Sequence, residues 1–287
     1  MPKTKAFIGT DMEGISGTCE WDHVDDDCLV YSQFTQIMTD ELKAICATIG
    51  NNAGITIRDG HASAKNVIAS QMPNNVNMIQ YWNTNPLNMM LGLDDSFSFA
   101  MLHGYHSAGG SNLSPLAHTF SNDNFVSFKL NDKLAGEGTF ALYTAAYFDV
   151  PMIYIVGDSG FVAEIKKLSP KTVGTITKDF PKQKLLSPEQ VLKNIKNDCK
   201  KAVIGFNKNP NMCKIKLPKS FKLEITYVDS RQAKLHAQKI PNIELLNSTT
   251  VGYETNDYLD LLTVMRLLKL KIHRQNIFLK IYRKLIK

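Results

Sequence analysis

An α/β fold is predicted, with a mostly parallel sheet covered by helices on both faces and a smaller α+β lobe after it. Three observations predict it. Up to Gly157, short apolar runs alternate with stretches of helical periodicity, the pattern of parallel strands joined by helical crossovers. Beyond Gly157 the order changes, and a polar connector rich in Lys and Pro (NKNPNMCKIKLPK, Asn207 to Lys219) separates a run of shorter elements. With 287 residues, 44% of them hydrophobic, the chain can bury one large core or a core with an appended lobe.

Taken in order, Lys5 to Thr10 (KAFIGT) reads as a first strand that opens into the acidic DMEG. Between Tyr31 and Ile49, the residues Phe34, Ile37, Met38, Leu42, Ile45, Cys46 and Ile49 recur at spacings of three and four, which predicts a helix with one apolar face. Ile55 to Arg58 forms a second strand ending at Asp59-Gly60-His61, and a helix is expected from about Ala64 to Gln71. Apolar runs at Val76 to Tyr81, Phe97 to Leu102, Phe125 to Leu130 and Met152 to Val156 supply further strands of the parallel sheet, with a helix over Thr139 to Phe148. Helices follow at Phe161 to Leu168 and at Pro188 to Gly205. The second opens on Ser187-Pro188, an N-cap residue and a proline suited to the first helical position. The lobe is expected to hold strands at Phe221 to Val228, Asn242 to Leu246 and Thr249 to Tyr253, a short helix near Arg231 to Gln238, and a long helix from about Asp257. The expected domains are therefore 1–206, 207–265 and a basic C-terminal segment 266–287.

The net charge of +6 does not mark a nucleic-acid-binding protein. Eight Lys or Arg and no acid lie between Arg266 and Lys287, which leaves 25 bases against 27 acids in the rest of the chain. Five scattered cysteines without a C-x-x-C pair, and the lack of a leader-like or membrane-spanning apolar stretch, predict reduced thiols and a cytoplasmic location.

The metal-capable side chains gather at predicted strand ends. Asp11 and Glu13 follow the first strand two residues apart, so in extended chain both carboxylates project to one side. His61 follows the second strand, His103 and His106 close the strand that starts at Phe97, His118 lies in the next loop, and Glu137 opens a helix. The crevice outside the carboxyl ends of parallel strands is where such folds bind ligands. Imidazoles and carboxylates suit zinc, and three of these histidines with the three carboxylates exceed what one tetrahedral ion needs, so two ions are implied, with Asp11 or Glu13 placed to reach both. Each residue alone has a plainer reading as a cap, a solvated charge or a satisfied core residue. His103, beside an apolar strand, is assigned that structural role; His23, in the acidic WDHVDDD, a solvated loop; and His236 and His273 the surface of the lobe.

The segments TDMEGISG (Thr10 to Gly17), RDGHASAKN (Arg58 to Asn66), HGYHSAGG (His103 to Gly110), LAHTF (Leu116 to Phe120), NDKLAGEGTFALYTAAYFDVP (Asn131 to Pro151) and VGDSG (Val156 to Gly160) occur in that order. Together they resemble the zinc-dependent D-aminopeptidase family of bacterial dipeptide-transport operons. The resemblance implies α/β/α layers with an added α+β lobe and a dinuclear zinc site. It also implies a ring-like homo-oligomer, pentamer or decamer. Its metal ligands fall on Asp11, Glu13, His61, His106 and Glu137, with Asp11 bridging two zinc ions per subunit, and its catalytic histidine falls on His118. The implied reaction is removal of the N-terminal residue, a D-amino acid such as D-Ala, from a short peptide. Two other readings use the same residues: a two-metal phosphoester hydrolase, for which only Arg58 and Lys65 near the site offer phosphate contacts, and a metal-stabilised protein that binds peptides without cutting them.

Leu267 to Lys287 extends past the resemblance. Drawn as a helix it gathers Leu270, Ile277, Ile281 and Leu285 among basic residues. It is expected to pack on its own subunit or a neighbouring one, with attachment to an anionic membrane as the alternative.

Overall fold

The computed structural model describes residues 4–269. Contacts divide them into two units. The first comprises 4–107, 111–117 and 136–217; the second comprises 108–110, 118–135 and the described residues from Pro218 onward. The expected boundary at 206 thus does not coincide with this division, because an internal segment belongs with the C-terminal elements.

The first unit holds β1 (Lys5–Thr10), α1 (Tyr31–Ile49), β2 (Gly54–Asp59), β3 (Val76–Ile79) and β4 (Phe99–Tyr105). The second unit contributes β5 (Phe125–Leu130) and β6 (Lys133–Leu134), after which the first resumes with α2 (Glu137–Tyr147), β7 (Met152–Asp158), α3 (Ser159–Leu168), β8 (Val173–Asp179), β9 (Lys184–Leu185) and α4 (Pro188–Lys208). The sheet of the first unit runs β3-β2-β1-β4-β7-β8-β9 and is parallel except for β9. Alternate residues of its strands, among them Ala6 and Ile8, Ile55 and Ile57, Phe99 and Met101, join Leu42, Ile45, Val191 and Ile195 of α1 and α4 in one core. On the opposite face α3 lies so close that a Cβ at Gly174 would meet Val162 at 2.8 Å, and α2 packs beside α3, with Gly138 against Phe161. This is the expected three-layer α/β/α arrangement.

The second unit pairs its strands antiparallel in the order β11-β12-β10-β5-β6, with β10 (Phe221–Tyr227), β11 (Glu244–Leu245) and β12 (Thr250–Thr255). α5 (Ser230–Lys239) and α6 (Tyr258–Leu268) pack on that sheet. Three expectations need correction. The strand Phe125–Leu130 belongs to this antiparallel sheet and not to the parallel one, since an apolar run does not specify its partner. The helix expected from Ala64 to Gln71 is a loop with a single 3-10 turn at Ala69–Gln71, because the Asp59 carboxylate takes the amides of Asn66 and Val67, and Ala62 and Ala64 have positive φ. His236 is buried rather than exposed, hydrogen-bonded through Nδ1 to the Tyr227 hydroxyl at 2.8 Å. His273 and most of the basic segment 266–287 lie outside the described residues. No helix among those described is long and apolar enough to cross a membrane.

Candidate metal centre

Parallel pairing sets the site. Thr10, the last residue of β1, is in register with Asp59 on β2 and His103 on β4, so the residues just beyond them emerge at the same sheet edge. The loop after β1 is stitched to β4 by the main chain: Asp11 N–H donates to the His103 carbonyl at 2.9 Å and Gly14 N–H to the Gly104 carbonyl at 2.7 Å. Glycine is required on both sides of that seam. A Cβ at Gly14 would stand 1.8 Å from the Tyr105 carbonyl oxygen, and one at Gly104, where φ is +73°, would stand 2.0 Å from the Asp11 carbonyl oxygen. Glu137 joins the site as the first residue of α2, after the N-cap Gly136.

Five of the six expected site residues meet in the first unit, all buried. They form two groups, Asp11 with Glu13 and His61, and Asp11 with His106 and Glu137, each with its ligand-capable atoms within 4.8 Å of one another. Asp11 is common to both. Its Oδ1 lies 3.3 Å from His61 Nδ1 and its Oδ2 lies 3.5 Å from His106 Nε2. His61 Nδ1 is also 3.1 Å from Glu13 Oε2, and His106 Nε2 is 3.7 Å from Glu137 Oε1.

The far nitrogen of each ring fixes its tautomer. A carbonyl only accepts, so His61 Nε2–H donates to the Val24 carbonyl at 2.8 Å, and His106 Nδ1–H to the Ser107 carbonyl at 3.0 Å. In a neutral ring the remaining nitrogen then directs a lone pair at carboxylate oxygens. That arrangement is stabilising only with a proton or a metal cation between them. Without metal the protons fill this role. Burial pushes the Asp11 carboxyl up, yet hydrogen bonds from His106 and His61 outweigh it and hold the group well below the usual carboxylate range. Burial also opposes protonation of both imidazoles, but Glu13 and Asp11 raise His61 well above its ordinary value, and Asp11, Glu137 and Glu13 raise His106 to about 10. Three carboxylates against two imidazoles remain negative even with both rings protonated, so the donor set fits divalent cations that prefer nitrogen and oxygen.

His118, the sixth expected residue, is half-buried and opens the 118–135 stretch of the second unit. There Thr119 Oγ1 accepts the Gly109 amide at 3.1 Å. His103 has the structural role expected of it, with Nδ1 2.8 Å from the Thr10 hydroxyl and Nε2 2.8 Å from Glu41 Oε2. His23 is more than a solvated loop residue: its ring stacks on Phe34 with centroids 4.2 Å apart. Arg58 is fully buried and donates to the carbonyls of Asn88, Ile79 and Tyr81 beneath the Trp82 ring, which removes it as a phosphate contact.

Supporting residues were missed from sequence. Asp59 ties down the His61 loop, and Asn66 Nδ2 donates to the His61 carbonyl at 2.8 Å. Asp158 accepts both the amide and the hydroxyl of Ser107 and caps α3 through the Phe161 amide. A carboxylate followed at once by a helix is the usual N-cap signal, and Asp158 carried it.

A family model described as D-aminopeptidase matches residues 4–267. The chain belongs to the D-aminopeptidase family. Among curated relatives in this family, D-aminopeptidase of Bacillus subtilis (strain 168) is 27% identical over 263 residues, covering 89% of this chain and 93% of the relative. A solved family structure, the Zn-dependent D-aminopeptidase DppA from Bacillus subtilis, described as a self-compartmentalizing protease, superposes with a TM-score of 0.83. It is 25% identical and covers 92% of this chain and 96% of its own. Family membership makes the protein an aminopeptidase and displaces the phosphoester and non-catalytic readings.

Proposed function

We propose that this aminopeptidase is zinc-dependent, that it holds two zinc ions between Asp11, Glu13, His61, His106 and Glu137, and that it removes an N-terminal D-residue such as D-Ala from short peptides. One observation carries the metal reading: two imidazoles with fixed tautomers aim their remaining nitrogens at opposite oxygens of one buried carboxylate. Glu13 and His61 would hold one ion, His106 and Glu137 the other, and Asp11, common to both groups, would reach each. Zinc in the solved relative and the D-aminopeptidase description of the family support the choice of metal and substrate.

When bound, zinc supplies Lewis acidity toward a carbonyl and toward water at neutral pH. The chain's own residues do the rest. Val24 and Ser107 hold the two rings by their far N–H groups, so each ring presents a lone pair without rotating. His118 is assigned the proton transfer to the departing amine, a task most often given to a histidine side chain. The self-compartmentalizing relative supports a homo-oligomeric assembly, for which the proposal is a ring-like form, and the five free cysteines support a proposed cytoplasmic location.

The test is metal analysis of the purified protein together with a panel of D-Ala-D-Ala, L-Ala-L-Ala, D-alanyl p-nitroanilide and p-nitrophenyl phosphate. Zinc near two per subunit, release of D-Ala and an inert phosphate ester are expected. A protein that carries one ion per subunit, or that cleaves the L-peptide in preference, would overturn the corresponding part.

A further inference from the structure

The loop from Asp11 to Thr18 bears two of the carboxylates, and its main-chain carbonyls converge on one buried cation that no part of the proposed mechanism uses. Lys178, 1% exposed, lies near the end of β8, which β4 and β7 separate from β1 in the sheet. Its Nζ donates to the carbonyls of Glu13, Ile15 and Thr18 and contacts the Thr18 hydroxyl. Its neighbour Thr177 donates its hydroxyl to the Gly14 carbonyl at 2.7 Å. Consecutive strand residues ordinarily point to opposite faces. Here Gly157 pairs with Ile176 and Asp158 with Lys178, so Thr177 is an extra residue in the ladder, and this bulge brings both side chains to the same loop.

A buried ammonium is costly unless all its protons are bonded, and a residue needed only to fill space at this position would be apolar. Every partner of this ammonium belongs to the loop that carries Asp11 and Glu13. From the α1 side, Glu41 Oε1 accepts the Ser16 amide at 3.0 Å and the Ser16 hydroxyl, so the loop is held at its carbonyls by β8 and at an amide by α1.

Resting on the reading that Asp11 and Glu13 are metal ligands, we infer that Lys178, seconded by Thr177, is a positioning residue for the metal-binding loop. It holds the two carboxylates in place from behind and adds positive charge on the protein side of an acidic cluster. It does not touch substrate.

The experiment compares wild type, Lys178→Met, Thr177→Val and Phe206→Ala, the last removing a ring packed on Phe99 at the start of β4, the opposite end of that strand from the loop, as a control for simple destabilisation. Zinc retention against a chelator, kcat and KM on a D-alanyl substrate, and the Tm of the metal-free protein are measured for each. Lys178→Met is expected to weaken zinc retention and lower kcat by about 10- to 100-fold, with KM little changed, as for other residues that orient metal ligands. Thr177→Val should move both in the same direction by a smaller factor, and Phe206→Ala should lower Tm alone. Wild-type zinc retention and kcat in Lys178→Met would overturn the inference. If that variant does not fold, unchanged zinc retention in Thr177→Val overturns it instead. A wild type that takes up no zinc would sink the metal reading itself and this inference with it, a result distinct from a wild type that binds zinc alongside an indifferent Lys178→Met.

Discussion

Two buried histidines stand three residues apart at the end of one strand, and their surroundings differ in kind. His103 spends both nitrogens on protein, one on Thr10 and one on Glu41, so donors and acceptors balance. His106 spends one nitrogen on the Ser107 carbonyl and turns the other toward Asp11 and Glu137, in a cluster where carboxylates outnumber imidazoles. Burial and residue type are the same in both. The difference is the balance of charge, and it teaches that a structural histidine is one whose partners are complete while a ligand is one whose partners are in excess.

The sharpest way to break this comparison is at Asp11. Asp11→Asn, nearly isosteric, is expected to strip the zinc detected by metal analysis and reduce D-peptide hydrolysis to background, since both halves of the cluster depend on that one carboxylate. His118→Ala should keep its zinc and lose on the order of 10²- to 10⁴-fold in kcat, read from metal content and steady-state kinetics on the same sample. Retention of full turnover would remove His118 from the mechanism. His103→Gln is expected to do the opposite of a ligand change: a loss of roughly 1–3 kcal/mol in denaturant unfolding, with zinc content as in wild type. The same cluster also carries a pH dependence. In metal-free protein the His106 pKa is raised from 6.5 to about 10, so the stability it contributes is complete below 6.5 and is lost as pH rises through 10. The Tm advantage of metal-free wild type over His106→Gln should therefore shrink between those values, and a constant gap would contradict the assigned partners.

Much of this is legible in the sequence. The helix Tyr31–Ile49 matched its apolar spacing to the residue, and five of the metal-capable side chains were readable because each follows a short apolar strand or opens a helix. What was not legible had physical causes. Val173–Asp179 (VGTITKD) alternates threonines with small apolar residues and looks polar, so neither the strand nor Lys178 stood out, although its β-branched content is a strand signal. Asp59 acts through main-chain amides seven and eight residues onward, a contact that has no periodicity. The placement of Phe125–Leu130 in the second sheet depends on pairing with β10, nearly a hundred residues away in sequence, and the burial of His236 depends on how α5 lies on its sheet.

The glycine seam between residues 14 and 104 makes the two halves of the cluster mechanically inseparable. Any side chain at position 14 would press on the peptide that carries Tyr105 into His106, while recoil along the loop would displace Asp11 and Glu13 at the same moment. The same holds in reverse for position 104, whose Cβ would strike the Asp11 carbonyl. The spacing of the clustered carboxylates and imidazoles is therefore written partly in two missing methyl groups, and on the proposed metal reading a redesign aimed at a cation of different radius would have to move two strands together.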